Sequence, residues 1–412
     1  MCGVKTRASI TGTARRILCA VFVLTSCALS AGEMPQIKEP DWEAWKNADP
    51  AAKKRAADDL AVVLASRPQA SATQAEKEQV AKKLNEAYAS LQKNADASYA
   101  VAAELLRKTT DDWERLTLGL LLAPAANGST YLHWAMAKST SLPPSLFEQF
   151  YYIARGLARE RKPEVLPAIT LMMKASEGRL RLPFLSWHIP FEDCLFYVFG
   201  TYGKDAVPYL RTLLNDPYPV VRRNAAILLG YFFDRESVAI LRFALKSDDL
   251  IAGGAAFALG EMGIQDAAKD MVPLLKHPDA RTRFFAAYGI YELKYKEALP
   301  DLVEASHDES DTETFQEITE TINYLTENPK PEPVVKKLSR EELDAALDAA
   351  ERSRGMTFDA DVLVVSCEER DMPRIEKLLL LPTEMPSDKA HKKFRQLREL
   401  YKKLHRRLSG KP

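Results

Sequence analysis

The chain has 412 residues, enough for more than one ordinary domain or for one long repeat array. Apolar residues make up 46% and charged residues 28%, and 57 basic side chains balance 57 acidic ones, which excludes global steering toward nucleic acid or another polyanion. Only 17 glycines stand among abundant Ala, Leu, Glu and Lys, a mix that favours helix because these side chains lose little freedom there. The fold class is therefore all-α. Asp361-Val362-Leu363-Val364-Val365 is the nearest approach to a strand, but a short apolar run fits strand and buried helix alike.

The first segment reads as an address. Lys5, Arg7, Arg15 and Arg16 precede a short apolar run from Ile17 to Leu24, and mostly small residues follow to Ala31. That order is a secretory signal over residues 1–31. The run is shorter than the ~20 apolar residues a spanning helix needs. Two exits are open: cleavage after Ala28-Leu29-Ser30, or acylation of Cys27. Leu24-Thr25-Ser26-Cys27 resembles the lipobox of bacterial lipoproteins, and that resemblance implies a membrane tether through Cys27. Beyond it only Cys194 and Cys367 remain, too few for a disulfide framework.

Residues 32–50 read as a spacer. Residues 51–145 read as an N-terminal helical region. In it, Leu60, Val63 and Leu64 share one face of a helix over Ala51–Ser66. Val80, Leu84, Tyr88 and Leu91 share a face of another over Thr73–Gln92.

From residue 146 to 326 the chain repeats. Ala225-Ala226-Ile227-Leu228-Leu229-Gly230 returns as Ala255-Ala256-Phe257-Ala258-Leu259-Gly260. Asp216-Pro217, Arg222 and Ala225-Ala226 return as His277-Pro278, Arg283 and Ala286-Ala287. Each unit predicts two helices: a first over Ala206–Leu214, Ser237–Leu245 or Ala268–Leu275, then a second carrying the alanine pair. Asp205 is the expected N-cap of one first helix, and Gly230 and Gly260 the expected left-handed stops of two second helices. Val165–Ile169, Cys194–Gly200 and Phe147–Leu157 extend the pattern upstream. An insertion over Gly178–Pro190 interrupts it. This pattern resembles the HEAT repeat family, in the short-period form of phycobilisome-lyase-like proteins, most firmly over Phe191–Leu293. The resemblance implies an α-solenoid of HEAT-like helix pairs with a concave binding face, flanked here by further helical segments. It also implies that Arg222, Arg223, Arg281 and Arg283 pair with turn acids such as Asp216, Asp248 and Asp279.

Residues 327–338, with Pro329, Pro331 and Pro333, form a linker. A C-terminal helical region fills 339–412, opened by the capping box Ser339-Arg340-Glu341-Glu342. Its last helix sets Phe394, Leu397, Tyr401, Leu404 and Leu408 among eight basic residues. Such a helix binds an anionic membrane surface or a partner groove, or packs on the array with its basic face near the acidic 304–371 region.

No motif for catalysis, metal or cofactor emerges. The six histidines show no tight ligand spacing, and there is no C-x-x-C, P-loop or nucleophile elbow. Trp187 and His188, held between prolines in the insertion, are binding anchors or an aromatic plug. Arg222 and Arg283 are the remaining binding candidates. The expected function is an exported, cell-envelope scaffold with a protein partner, no enzyme and no cofactor, periplasmic, membrane-anchored or secreted. The alternatives are a lyase-like enzyme on an α-repeat platform and a peripheral membrane module using residues 389–412.

Overall fold

The computed structural model describes residues 35, 37–67, 74–125, 127–175, 191–247, 249–327, 337–353, 358–380 and 388–408. They form helices joined by short turns, and no strand occurs among them; one isolated bridge pairs Leu142 with Ala175. The chain is an all-α solenoid. No helix among these residues is long and apolar enough to cross a membrane.

The N-terminal helices are α1 (Pro50–Ala65), α2 (Gln74–Lys93), α3 (Ala95–Lys108), α4 (Asp112–Leu122) and α5 (Gly128–Lys138). Asp49 starts α1 by accepting from the Ala52 amide at 2.7 Å, with Pro50 in the first turn where its missing N–H costs nothing. Leu60, Val63, Leu91, Leu106, Leu118 and Tyr131 share one core. The stretch expected as spacer contributes to it. Trp42 and Trp45 lie 5.7 and 5.4 Å from the Tyr131 ring, and the Tyr131 hydroxyl donates to the Asp41 carbonyl.

The array follows: α6 (Phe147–Arg159), α7 (Leu166–Ile169), α8 (Phe191–Phe199), α9 (Val207–Leu213), α10 (Pro219–Tyr231), α11 (Val238–Ala244), α12 (Ile251–Glu261), α13 (Ala268–Met271), α14 (Ala280–Glu292), α15 (Leu299–Asp308) and α16 (Thr312–Thr326). First helices are short and wound into 3-10 turns, as at 163–165 and 170–174 around α7. Second helices α10, α12, α14 and α16 pack on one another in succession. The alanine pairs 225–226, 255–256 and 286–287 are fully buried between them. Gly254 shows how close the approach is: a Cβ there would meet the Arg223 carbonyl oxygen at 2.4 Å.

Two local expectations are corrected. Asp205 does not cap α9, because a 3-10 turn over Gly203–Ala206 leads into it; Asp205 pairs with Arg161 at 3.3 Å instead. Gly230 and Gly260 are not helix stops. They lie inside α10 and α12, and the left-handed residues come three positions later, at Phe233, Gly263 and Lys294. The amides of Asp234, Ile264 and Tyr295 then reach back to the carbonyls of Leu229, Leu259 and Ile290, closing each helix with the same motif. Close packing is the role of Gly230, where a Cβ would stand 2.6 Å from the Ala258 Cα.

Beyond the array lie α17 (Arg340–Arg352), α18 (Ala360–Ser366), α19 (Met372–Leu380) and α20 (Asp388–Leu408). The Ser339–Glu342 capping box opens α17. The ambiguous apolar run is helical in α18, started by Asp359 accepting from the amides of Asp361 and Val362 at 3.1 Å. Cys194 and Cys367 are both buried, and no disulfide joins them.

Candidate functional site

The second helices end in register. Tyr231, Glu261 and Glu292 are the last residues of α10, α12 and α14, and each helix closes by the same reach-back bond at offsets of 30 and 31. In α14 and α16 the capping aspartates Asp279 and Asp311 bond Thr282 and Thr314, an offset of 32 that places Tyr324 at the position of Glu292. A row Tyr231, Glu261, Glu292, Tyr324 therefore runs along the C-terminal ends of four neighbouring helices. A second row begins one turn earlier with Phe257, Tyr288 and Glu320. Rings meet along these ends: Tyr231–Phe257 at 5.1 Å joins the two rows, Phe257–Tyr288 stack at 5.0 Å within the second, and Tyr291 meets Tyr324 at 4.4 Å.

Helix α20 lies across this row. Its Leu397, Leu400, Tyr401 and Leu404 are buried in the same core as the array. At roughly 2 kcal/mol for each such side chain, their burial supplies a gross stabilisation on the order of 8 kcal/mol. Its cations meet the helix ends. Arg398 bonds Glu261 at 3.0 Å and lies 4.1 Å from the Tyr231 ring centre. Lys402 bonds Glu292 at 2.7 Å and stands 3.7 Å from Glu261. Arg406 reaches Glu292 at 2.8 Å and the backbone carbonyl of Gly260 at 2.7 Å. Carbonyls left open at a helix C-terminus carry partial negative charge, so a basic helix laid across three such ends neutralises dipole and carboxylate together.

The electrostatics follow from burial. Glu261 is fully buried, which by itself raises its pKa, yet Arg398 and Lys402, with the Tyr288 hydroxyl donating to it, hold it below the usual carboxylate range. Lys402 is penalised by burial and still held above the usual lysine range by Glu261 and Glu292. Buried ion pairs seldom add net stability, so apolar burial is what holds α20 in place.

Past α14 the row is open. A cavity of about 1130 Å³ lies between α14, α16, α18 and α20 and reaches Tyr231 of α10 and Phe257 of α12. Tyr288, Tyr291 and Tyr324 line it, with Glu317, Glu320 and Glu327 from the α16 side and Arg395, Arg398, Lys402 and Lys403 from α20. Burial, then Glu320 and Glu292, push the Glu317 carboxyl up to about 7 against the opposing influence of Arg281.

The residues singled out in the sequence fall elsewhere. Arg222 spans from the Asp216 carbonyl, at 2.6 Å, to the Asp249 carboxylate of the next turn. Arg283 spans in the same way from the His277 carbonyl at 2.8 Å to both oxygens of Glu309 at 2.7 Å. Both arginines thus tie successive turns, and the acids they choose are Asp249 and Glu309 rather than Asp216 and Asp279. Asp279 instead caps α14, and Asp248 lies outside the described residues. Trp187, His188 and Cys27 also lie outside them. The basic helix packs on the array, but its principal partners, Glu261 and Glu292, precede the acidic 304–371 region; from that region Asp361 stands 3.5 Å from Lys403 and the Cys367 carbonyl accepts from Arg407. The glutamates escaped sequence reasoning, although a carboxylate recurring at 261 and 292, beside the glycines and aromatics of the repeat, was the available signal. Among the described residues no group of His, Cys, Asp and Glu could hold a metal ion.

Two family models agree with the repeat architecture. A family model described as HEAT repeats matches residues 244–323, and one described as HEAT repeat matches residues 206–234. No curated protein matches the chain. Among solved structures, the complex of CpcE and CpcF of phycocyanin lyase from Nostoc sp. PCC7120 is similar at 20% identity. The match covers 64% of this chain and 96% of that one, with a TM-score of 0.29.

Proposed function

Given that this chain is a HEAT-repeat protein, we propose that it is an exported binding scaffold of the bacterial cell envelope, holding a polypeptide partner in the groove at the ends of its second helices. One observation carries the reading. The chain already seats a helix of its own, α20, along that groove, and the groove continues past it as an open cavity of about 1130 Å³ with aromatic and charged walls. A surface that buries one amphipathic helix and stays open beyond it is built to hold polypeptide. We take the chain to act by binding rather than by catalysis: at the ends of α12 and α14 the buried carboxylates are paired with cations of α20.

Export rests on the signal-like residues 1–31, and a lipid anchor rests on Cys27. The basic helix does not favour a membrane module, since Leu397, Leu400, Tyr401 and Leu404 are turned into the core.

The test is affinity capture from envelope extract with the full-length chain and with a Tyr291→Ala/Tyr324→Ala variant. A polypeptide held by the first and lost by the second is the expected result; a partner held equally by both overturns the groove as the binding face. Labelling with a palmitate analogue, lost in Cys27→Ser, reads the anchor separately, and equal labelling of both forms removes it.

A further inference from the structure

Helix α20 displays the rule by which the groove holds a cation. At the ends of α10 and α12, Arg398 sits over the Tyr231 ring and bonds Glu261. At the ends of α12 and α14, Lys402 bonds Glu292 beside Glu261. In both places an aromatic ring or a helix C-terminus adjoins a glutamate, and a basic side chain of α20 covers them. The fourth end, that of α16, offers the same materials. Tyr324 stands in the row with its ring 4.4 Å from Tyr291, and Glu320 and Glu317, one and two turns before it on α16, line the same cavity. No hydrogen bond or ion pair joins Glu317, Glu320, Tyr324 or Glu327 to α20 among the described residues; the Glu320 carboxylate accepts only from Gln316, at 2.7 Å, on its own helix.

We propose that this open end binds an arginine or lysine side chain of a polypeptide segment, its cation held by Glu317 and Glu320 against the rings of Tyr291 and Tyr324. The assignment rests on the scaffold reading above and gives its partner a chemistry. Continuity with the α20 interface and the acids of the α16 wall, Glu317, Glu320 and Glu327, select this occupant, with Arg281 of α14 facing Glu317 as the cation it must compete with. The facing wall refines it: Arg395 and Lys403 line the same cavity from α20, so a free polyamine is repelled there, whereas a peptide whose basic residue is accompanied by a carboxylate satisfies both walls. A cation beside Glu317 also favours the ionised form of a carboxyl that burial otherwise holds protonated.

The experiment uses the full-length chain and a fluorescein-labelled peptide of three Gly-Arg-Gly-Glu repeats, read by anisotropy. The same peptide with citrulline in place of arginine keeps the shape and three of the five N–H donors but has no cation. Expected is saturable binding of the arginine peptide, about tenfold or more weaker for the citrulline peptide, an equal loss in a Glu317→Gln/Glu320→Gln variant, and little competition from spermidine. Equal affinity for the two peptides, or an arginine peptide indifferent to the double substitution, overturns the site. Displacement by spermidine at the concentration of the peptide overturns the polypeptide source and leaves a free amine. A captured partner that the double variant retains removes this site and spares the scaffold reading; charge-dependent peptide binding with no partner captured removes the scaffold reading and spares the site.

Discussion

Lys402, with a side chain only 4% exposed, bonds Glu292 at 2.7 Å across 110 residues of chain. Arg398 and Glu261 make the companion pair one helix away, across 137 residues. These bonds pair the cations of α20 with the carboxylates at the ends of α12 and α14.

Lys402→Met keeps the length and apolar stem of the side chain but leaves Glu261 and Glu292 short of a buried cation. The expected loss is roughly 3 kcal/mol, the cost of stranding a buried charge, read as a lower urea midpoint. Lys402→Met combined with Glu292→Gln is expected to cost less than the two single changes added together. Strict additivity would show that the pair does not interact.

Much of the array was legible because its determinants are local. An alanine pair returning at an offset of 30 marks helices that pack closely, whereas the caps Asp279 and Asp311 were not legible, Asp279 reading instead as an arginine's partner. The stops were misplaced because Phe233 and Lys294 take the left-handed conformation without being glycine. Repeat packing imposes that turn, while Gly230 and Gly260, the residues that looked like stops, are needed where helices touch. The groove was less legible. The basic face of α20 was plain, but its acids lie more than a hundred residues away, and nothing local in Glu261 or Glu292 says that they are buried. Trp42 and Trp45 were missed for the same reason: a stretch without periodicity reads as a spacer until Tyr131 and Trp134 are brought beside it.

The packing of α10 on α12 predicts a sharp contrast between two glycines. Gly254→Ala drives a Cβ to 2.4 Å from a backbone oxygen, which no rotamer relieves, and is expected to cost roughly 1–3 kcal/mol. Gly156→Ala, inside α6 with nothing within 4 Å of the new methyl, is expected to stabilise by up to about 1 kcal/mol. Thermal unfolding of both variants checks the pair. Similar melting temperatures would mean that the second helices are not packed this tightly.

His405 makes the docking of α20 sensitive to acid. Its ring stacks on Phe233 at 4.6 Å and meets Tyr401 edge-on at 4.4 Å. Burial, then the nearby Lys204, pull its pKa down to about 4. The folded value lies below the unfolded one, so the unfolded chain takes up the proton first as pH falls. The contribution is complete above about pH 6.5 and is lost progressively toward pH 4. Between pH 7.5 and 4.5 the wild type is expected to lose roughly 2 kcal/mol more than His405→Phe, measured by urea unfolding at each pH. Parallel pH profiles would mean that the imidazole is not sequestered.

Glu317 predicts the opposite slope. Its carboxyl is desolvated and faces Glu320 on its own helix and Glu292 and Arg281 on α14, while Arg395, Arg398, Glu399 and Lys402 look into the same cavity from α20. The net result is a folded pKa raised to about 7 from an ordinary value near 4.5. Between those values the folded chain holds a proton that the unfolded chain has released, so stability falls as pH rises through the window, and the destabilisation is complete above pH 7. Glu317→Gln removes the charge while keeping the shape. It is expected to stabilise by roughly 1–3 kcal/mol at pH 8 and to change little at pH 4.5, where both side chains are neutral. An equal effect at the two pH values would mean that the carboxylate is solvated, and so not confined in the pocket where a basic side chain is to be held. Gain of stability together with loss of the arginine peptide is the combined signature of a residue kept for binding at the expense of the fold.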